Sequence, residues 1–267
     1  HTNLFDRVLA WVAEVSVRRA KSIVAVFVVA LVAFGISASQ LKFSHDVLEW
    51  LPEDWTIRQA TQKIDTDLKG SVVVEMVIDI GEENGIYDPD FLNRIDGLAV
   101  QTAAYESLDL NVGKVFSVVD ILKEIHKALN ENRDEFYVIP DNADLIPQEF
   151  LLFENSGSDD LETVIDSQFQ LMRMSIRVPW RDAFVFVPFL AEISAEFETA
   201  LGEDIQVPAT GMLTILVRTL SAAMNSMFKS YMIALIAIST MLMALVGSVR
   251  YGALAMIPNL TPIVVVM

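Results

Sequence analysis

Six oxygen-bearing side chains crowd one short stretch of the chain: Asp79, Glu82, Glu83, Asn84, Asp88 and Asp90. Oxygens of this kind ligate calcium, but an EF-hand loop needs glycine at its sixth position for the sharp turn. Counted from Asp79, that position holds Asn84, so the calcium order fails and no metal ligand is assigned. His45 and His126 are the only interior histidines and lie far apart in sequence, which gives an imidazole-based triad or metal site no local support. There is no cysteine, and this excludes disulfides, thiolate zinc sites, iron–sulfur clusters and cysteine nucleophiles. The phosphate loop G-x-x-x-x-G-K-[ST], the G-x-S-x-G elbow, the G-x-G-x-x-G turn and the H-E-x-x-H pair are all missing. The chain therefore reads as a non-enzyme with no cofactor.

What remains is chemistry of contact. Trp180, Phe184, Phe186 and Phe189 form an apolar aromatic stretch that could line a groove for a greasy substrate, and they are the substrate-contact candidates. Aromatic runs are also the ordinary material of a core, and that reading stands beside the first. The methionines Met212, Met224, Met227, Met232, Met241 and Met243 adapt to varied ligands, although lipid contact and helix packing account for them equally.

The elements that must position these residues begin with a membrane. In a chain of 267 residues, 53% are hydrophobic and mean hydropathy is +0.42, above the usual range of soluble domains. The net charge of −17 excludes a binder of nucleic-acid phosphates, and the apolar content excludes a disordered acidic chain. Residues 22–38 carry no ionisable side chain and reach about 26 Å as a helix, which predicts a first transmembrane span. Residues 230–249 predict a second span, and after Arg250-Tyr251-Gly252 an apolar run over 253–267 predicts the start of a third, cut off at Met267. His1 stands where Met would begin a chain, so the sequence reads as a piece of a longer protein.

Residues 1–21 predict an interfacial helix, with Leu4, Val8, Trp11, Val12 and Val15 on one face. Arg7, Arg18, Arg19 and Lys21 precede the first span, and Arg250 lies in the predicted turn after the second; the positive-inside rule puts both on the cytoplasmic side. The section 39–229 is then extracytoplasmic, and its 34 acidic and 14 basic side chains agree with that placement. A cleaved signal peptide ending at Ser37-Ala38-Ser39 is the rival reading, but the long basic extension before the apolar run argues against it.

Within 39–229, helix and strand patterns alternate. Helices are predicted at 56–68, from the Asp88-Pro89 cap onward, around Val118–Leu129 and from Phe189 to Leu201. Strands are predicted at 71–80, 114–116, 169–178 and 205–209, with a loop-rich stretch between Pro140 and Ser158. Two β-α-β passes imply two small α/β sandwiches or one sheet built from both. An uninterrupted helical run from Gly211 predicts one helix continuing into the second span. The fold class is thus an α+β membrane protein, with transmembrane helices and an α/β sandwich domain inserted between spans 1 and 2.

The order of these pieces resembles half of a resistance-nodulation-division (RND) transporter. The text agrees locally in Phe43-Ser44-His45-Asp46, Glu49-Trp50-Leu51-Pro52-Glu53-Asp54, Val77-Ile78-Asp79, Gly85-Ile86-Tyr87-Asp88-Pro89 and 152–161, and in Gly247-Ser248-Val249-Arg250-Tyr251-Gly252 leading to 257–263. These stretches are similar to the MMPL and Patched-like branch. The resemblance implies proton-motive-force-driven export of lipidic or amphiphilic compounds, a porter-like outer domain, and a multi-pass protein of the bacterial inner (cytoplasmic) membrane with its large domain in the periplasm. It also implies the bilayer, an amphiphilic substrate and a homo-oligomer or accessory proteins as partners. Neither uncharged span offers a proton relay, so coupling is expected from residues beyond Met267. A sterol-sensing receptor and a membrane-anchored binding module share enough of this architecture to stay open.

The absence of native cysteine makes orientation directly measurable. Ser107→Cys and Asn132→Cys should be labelled by an impermeant maleimide from the outside of intact cells; labelling only after the cytoplasmic side is opened would invert the topology.

Overall fold

Val74, Met76 and Ile78 alternate with more exposed neighbours. In the computed structural model, which describes residues 4–38, 46–157, 161–202 and 205–256, they form the buried row of strand β1 (Val72–Asp79). Three further strands join it: β2 (Lys114–Phe116), β3 (Leu171–Val178) and β4 (Ala209–Thr210). They make one sheet in the order β2-β3-β1-β4, with every pair antiparallel. One sheet is therefore built from both β-α-β passes, and neither pass forms a sandwich of its own. β3 starts at Leu171 rather than Phe169 because Phe169 takes a left-handed φ of 52° in the turn before it. The predicted last strand contributes only Ala209–Thr210 to the regular ladder, although the amides of Val77 and Asp79 also donate to Pro208 O and Gln206 O.

The helices are α1 (Leu4–Arg18), α2 (Ala20–Ala38), α3 (Thr56–Asp67), α4 (Pro89–Ala103), α5 (Val118–Leu129), α6 (Leu145–Asn155), α7 (Ala183–Leu201) and α8 (Gly211–Val246). The chain divides into two compact units, Ser44–Met224 and the combination of His1–Phe43 with Asn225–Met267. In the first, one sheet face carries Met172, Met174, Ile176 and Val178 beside the β1 row, and all are buried. Phe91, Leu92 and Ile95 of α4, Val118 and Leu122 of α5, Phe186, Phe189 and Phe197 of α7, and Leu213 and Val217 of α8 complete that core. The other sheet face is mixed, with Val73, Val77 and Phe116 beside a polar cluster in which Ser175 Oγ donates to Glu75 Oε2 at 2.6 Å and Arg173 Nε lies 3.7 Å from the same oxygen. A one-sided antiparallel sheet covered by helices is what this alternation dictates.

Caps fix where the helices start. Asp88 accepts from the Asp90 amide at 3.0 Å, with Pro89 in the first turn of α4. Ser117 and Asp120 form a capping box on α5, and Asp182 accepts from the Phe184 amide on α7. The acidic cluster resolves into turns of the same kind: Asp79 Oδ1 accepts from Gly81 N at 2.9 Å and from Gln170 Nε2 at 3.2 Å.

In the second unit, α1 and α2 follow one another across a turn at Arg19, and Val8, Trp11 and Val12 of α1 are exposed. Among the described residues α8 is the helix long and apolar enough to cross a membrane; the apolar run of α2 is shorter. α8 ends at Val246, three residues before the predicted boundary, because Gly247 takes a φ of 68° and its amide donates to Met243 O at 3.0 Å. Arg250, Tyr251 and Gly252 are accordingly helical rather than the turn itself, and Gly252 packs so close to Met243 that a Cβ would lie 2.7 Å from its Cγ. Most of the predicted third span, together with Phe43-Ser44-His45, Ser158-Asp159-Asp160 and 257–263, lies outside the described residues.

One contact in the sheet domain leaves no room for change. A Cβ on Gly113 would sit 1.6 Å from the carbonyl oxygen of Lys69, and the Gly113 amide donates to Arg177 O at 2.8 Å. Gly113→Ala must therefore move backbone, and it should lower stability by about 3 kcal/mol or more, the upper end of overpacking costs. Thermal unfolding checks this, with the open-space substitution Gly97→Ala as the harmless control.

Candidate functional site

An open cavity of the sheet domain lies where α5 and α6 meet. It is an open groove of about 820 Å³, within the usual size of small-molecule sites. Ile121 and Ile125 of α5 form its floor and are nearly buried. Leu129 of α5, Leu152 and Phe153 of α6 and Phe116 of β2 form its walls, and Leu129 and Leu152 are more than half exposed to water. Apolar side chains held open in this way favour a ligand that removes them from water, by about 25 cal/mol for each Å² covered.

Sequence and local physics explain each wall. α5 presents Val118, Ile121, Leu122, Ile125 and Leu129 at helical spacing; the first four are buried, whereas Leu129 overhangs the end of the helix. Pro140, Pro147 and the turn at Asn155 predict loop where α6 forms. Pro147 instead occupies the first turn of the helix, where a missing amide proton breaks no intrahelical bond. Ile146, Phe150 and Phe153 then recur at i, i+4 and i+7; this is the sequence signal that identifies the helix. Phe150 and Ile146 are fully buried, and the following Leu151 and Leu152 face outward because the run FLLF is apolar around most of the helix.

Polar groups mark the groove's rim. Lys114, Glu124 and Tyr137 line it with Asp120, whose Oδ2 already accepts from the Ser117 amide at 2.8 Å. Burial, and then the carboxylates of Asp120 and Glu124, raise the Tyr137 pKa. Both signs of charge thus border an apolar channel, an arrangement that suits an amphiphile with its polar end at the rim.

Behind the groove one polar tie joins its two helices. His126 Nδ1 of α5 lies 2.7 Å from Glu149 Oε1 of α6, and both side chains are largely buried. Glu149 Oε2 is buried with no hydrogen-bond partner among the described residues. His126 is therefore a packing residue that fixes the spacing of α5 and α6; its ring also lies 5.8 Å from that of Phe136.

The aromatic candidates fall elsewhere. Phe186 and Phe189 are fully buried, Phe189 against the edge of Tyr105 at 5.1 Å, so both belong to the core and offer no surface to a substrate. Trp180 is half-buried, with its backbone amide donating to Asp65 at 3.1 and 3.2 Å and its indole Nε1 to Asp46 at 2.7 Å. Phe184 is half-buried at the start of α7. None of the four lines the groove. Comparison of the chain with protein-family models, with curated proteins and with solved structures finds no significant match.

The tie between the helices can be cut selectively. Glu149→Ala leaves a buried imidazole without its acceptor and should cost about 3 kcal/mol. Glu149→Gln keeps an acceptor for Nδ1–H and should cost less than half as much. Chemical unfolding of the two variants beside the parent chain measures the difference.

Proposed function

We propose that this chain forms part of a proton-motive-force-driven exporter of lipidic or amphiphilic compounds, of the resistance-nodulation-division type, in the cytoplasmic membrane of a bacterium. Its extracytoplasmic domain would act as a porter-like module that receives the compound in the groove between α5 and α6. The observation that carries this reading is the groove itself, about 820 Å³ with an apolar floor and a rim bearing both signs of charge. An amphiphile's tail leaves water there while its head remains solvated, and a half-open site lets it go again, as a transit site must. The flanking apolar helices α2 and α8 supply the anchoring that such a task requires.

Proton coupling would run through other parts of the assembly. Residues 22–38 and 230–246 hold no Asp, Glu, Lys, Arg or His, and a relay needs a group whose protonation differs between conformations. A second reading, a membrane-anchored binding module without transport, draws support from a different observation: one helix among the described residues meets the length and hydropathy of a span.

Leu152 separates these readings, because it is more than half exposed and its replacement leaves the core intact. In vesicles carrying the complete protein, a photoactivatable amphiphile should crosslink to the α5–α6 groove, and Leu152→Asp should lower both that labelling and gradient-driven efflux about tenfold at unchanged protein level. Labelling without efflux would establish the binding module instead. Efflux indifferent to Leu152→Asp or to an uncoupler would refute the exporter reading of this groove.

A further inference from the structure

Helix α3 carries its apolar stripe on the outside. Ile57, Ile64 and Leu68, at its C-terminal cap, are separated by seven and four residues, which at 3.6 residues per turn gathers them within an arc of about 40°. Their exposures are 59%, 40% and 56%, and no residue of α3 is buried. The side that the helix turns to its own domain is polar. Arg58 Nη1 donates to the Leu51 carbonyl at 2.7 Å, the Asp65 carboxylate accepts from the Trp180 amide, and both side chains are half-buried. Amphipathic helices of water-soluble domains do the reverse, so α3 is fastened by polar bonds in a way that presents its apolar stripe to something else.

The surroundings of the stripe indicate lipid. Trp50 and Trp55, just before the helix, are 64% and 52% exposed. Tryptophan combines an apolar ring with one N–H donor and concentrates at the boundary between hydrocarbon and water. Lys63, its ammonium 4.0 Å from the Asp67 carboxylate, extends from the same helix with its side chain four-fifths exposed and keeps its charge in water. Eleven residues of chain lie between Ala38, the end of α2, and Trp50, about 40 Å at full stretch, so a bilayer holding α2 keeps α3 within reach of its surface.

We infer that α3, with Trp50 and Trp55, is a membrane-surface contact: the stripe Ile57, Ile64 and Leu68 enters the headgroup–acyl boundary and seats the sheet domain on the bilayer from which it is tethered. This rests on the membrane-anchored reading of α2 and α8, whereas the groove plays no part in it. A helix of this kind lies in the plane of the interface with its apolar face roughly 5–10 Å deep.

The cysteine-free chain permits a depth measurement on the intact protein. Nitroxide labels would be placed singly through Ile57→Cys, Ile64→Cys and Leu68→Cys, with Leu108→Cys as the water reference and Ile236→Cys on α8 as the hydrocarbon reference; both reference sites are exposed. In phosphatidylcholine vesicles, power saturation with oxygen and with a nickel chelate should give the three α3 labels an oxygen-to-nickel accessibility ratio several-fold above that at Leu108 and below that at Ile236. Water-like ratios on α3, with Ile236 in hydrocarbon, would overturn the inference and leave the anchor standing. Immobilised α3 labels shielded from both reagents would also overturn it, in favour of a protein partner. A water-like Ile236 would remove the anchor and the inference together.

Discussion

The eight residue pairs between β1 and β3, from Val72 opposite Val178 to Asp79 opposite Leu171, hold the sheet domain together across about a hundred residues of sequence. Side chains on a strand alternate with period two, so a slip of one residue would turn Met76 and Met174 to solvent and Glu75 and Arg173 into the core. The register is therefore fixed by what each row would cost on the wrong side. β2 attaches to the outer edge of β3 and β4 to the outer edge of β1, and the helices between them must cross the one apolar face.

From that constraint the groove follows. α5 leaves β2 with its capping box set and lays Val118, Ile121 and Leu122 onto the core, which leaves its far side and its last turn uncovered. α6 joins the same core by another route: Phe150 lies 6.1 Å from the ring of Phe169 and 6.3 Å from that of Tyr87, and the His126–Glu149 contact ties the helix to α5. Two helices joined at the back by a polar tie and apolar toward the front leave a channel between them. A short buried hydrogen bond with one orphaned carboxylate oxygen is an expensive way to join helices, and its worth lies in fixing one spacing where greasy side chains alone would accept several.

The same logic of local bonds overriding apolar preference appears at α3. Asp65 and Arg58 meet backbone groups of the Trp180 and Leu51 segments, and those bonds decide which side of the helix faces the domain. The two surfaces, groove and stripe, are independent: one is concave and built from α5 and α6, the other convex and built from α3 with its preceding tryptophans.

Much of the element order was legible in the amino-acid sequence, because the signals concerned are local. Asp88-Pro89 caps α4, Ser117 and Asp120 cap α5, Gly202 ends α7, and the alternation through Val74, Met76 and Ile78 can only be a half-buried strand. The uncharged run after Ser230 likewise marks α8 as long and apolar enough to cross a membrane. Pro147 misled because proline is read as a breaker, although in a first helical turn it breaks nothing, and with α6 went one wall of the groove. The aromatic stretch leaves two readings open, groove lining or core, and packing places Phe186 and Phe189 in the core. Which strands pair, which face of α3 turns outward and which leucines remain in water depend on contacts between residues tens of positions apart. No local pattern encodes such contacts, since an apolar side chain reads the same whether its neighbour is a sheet, another helix or solvent.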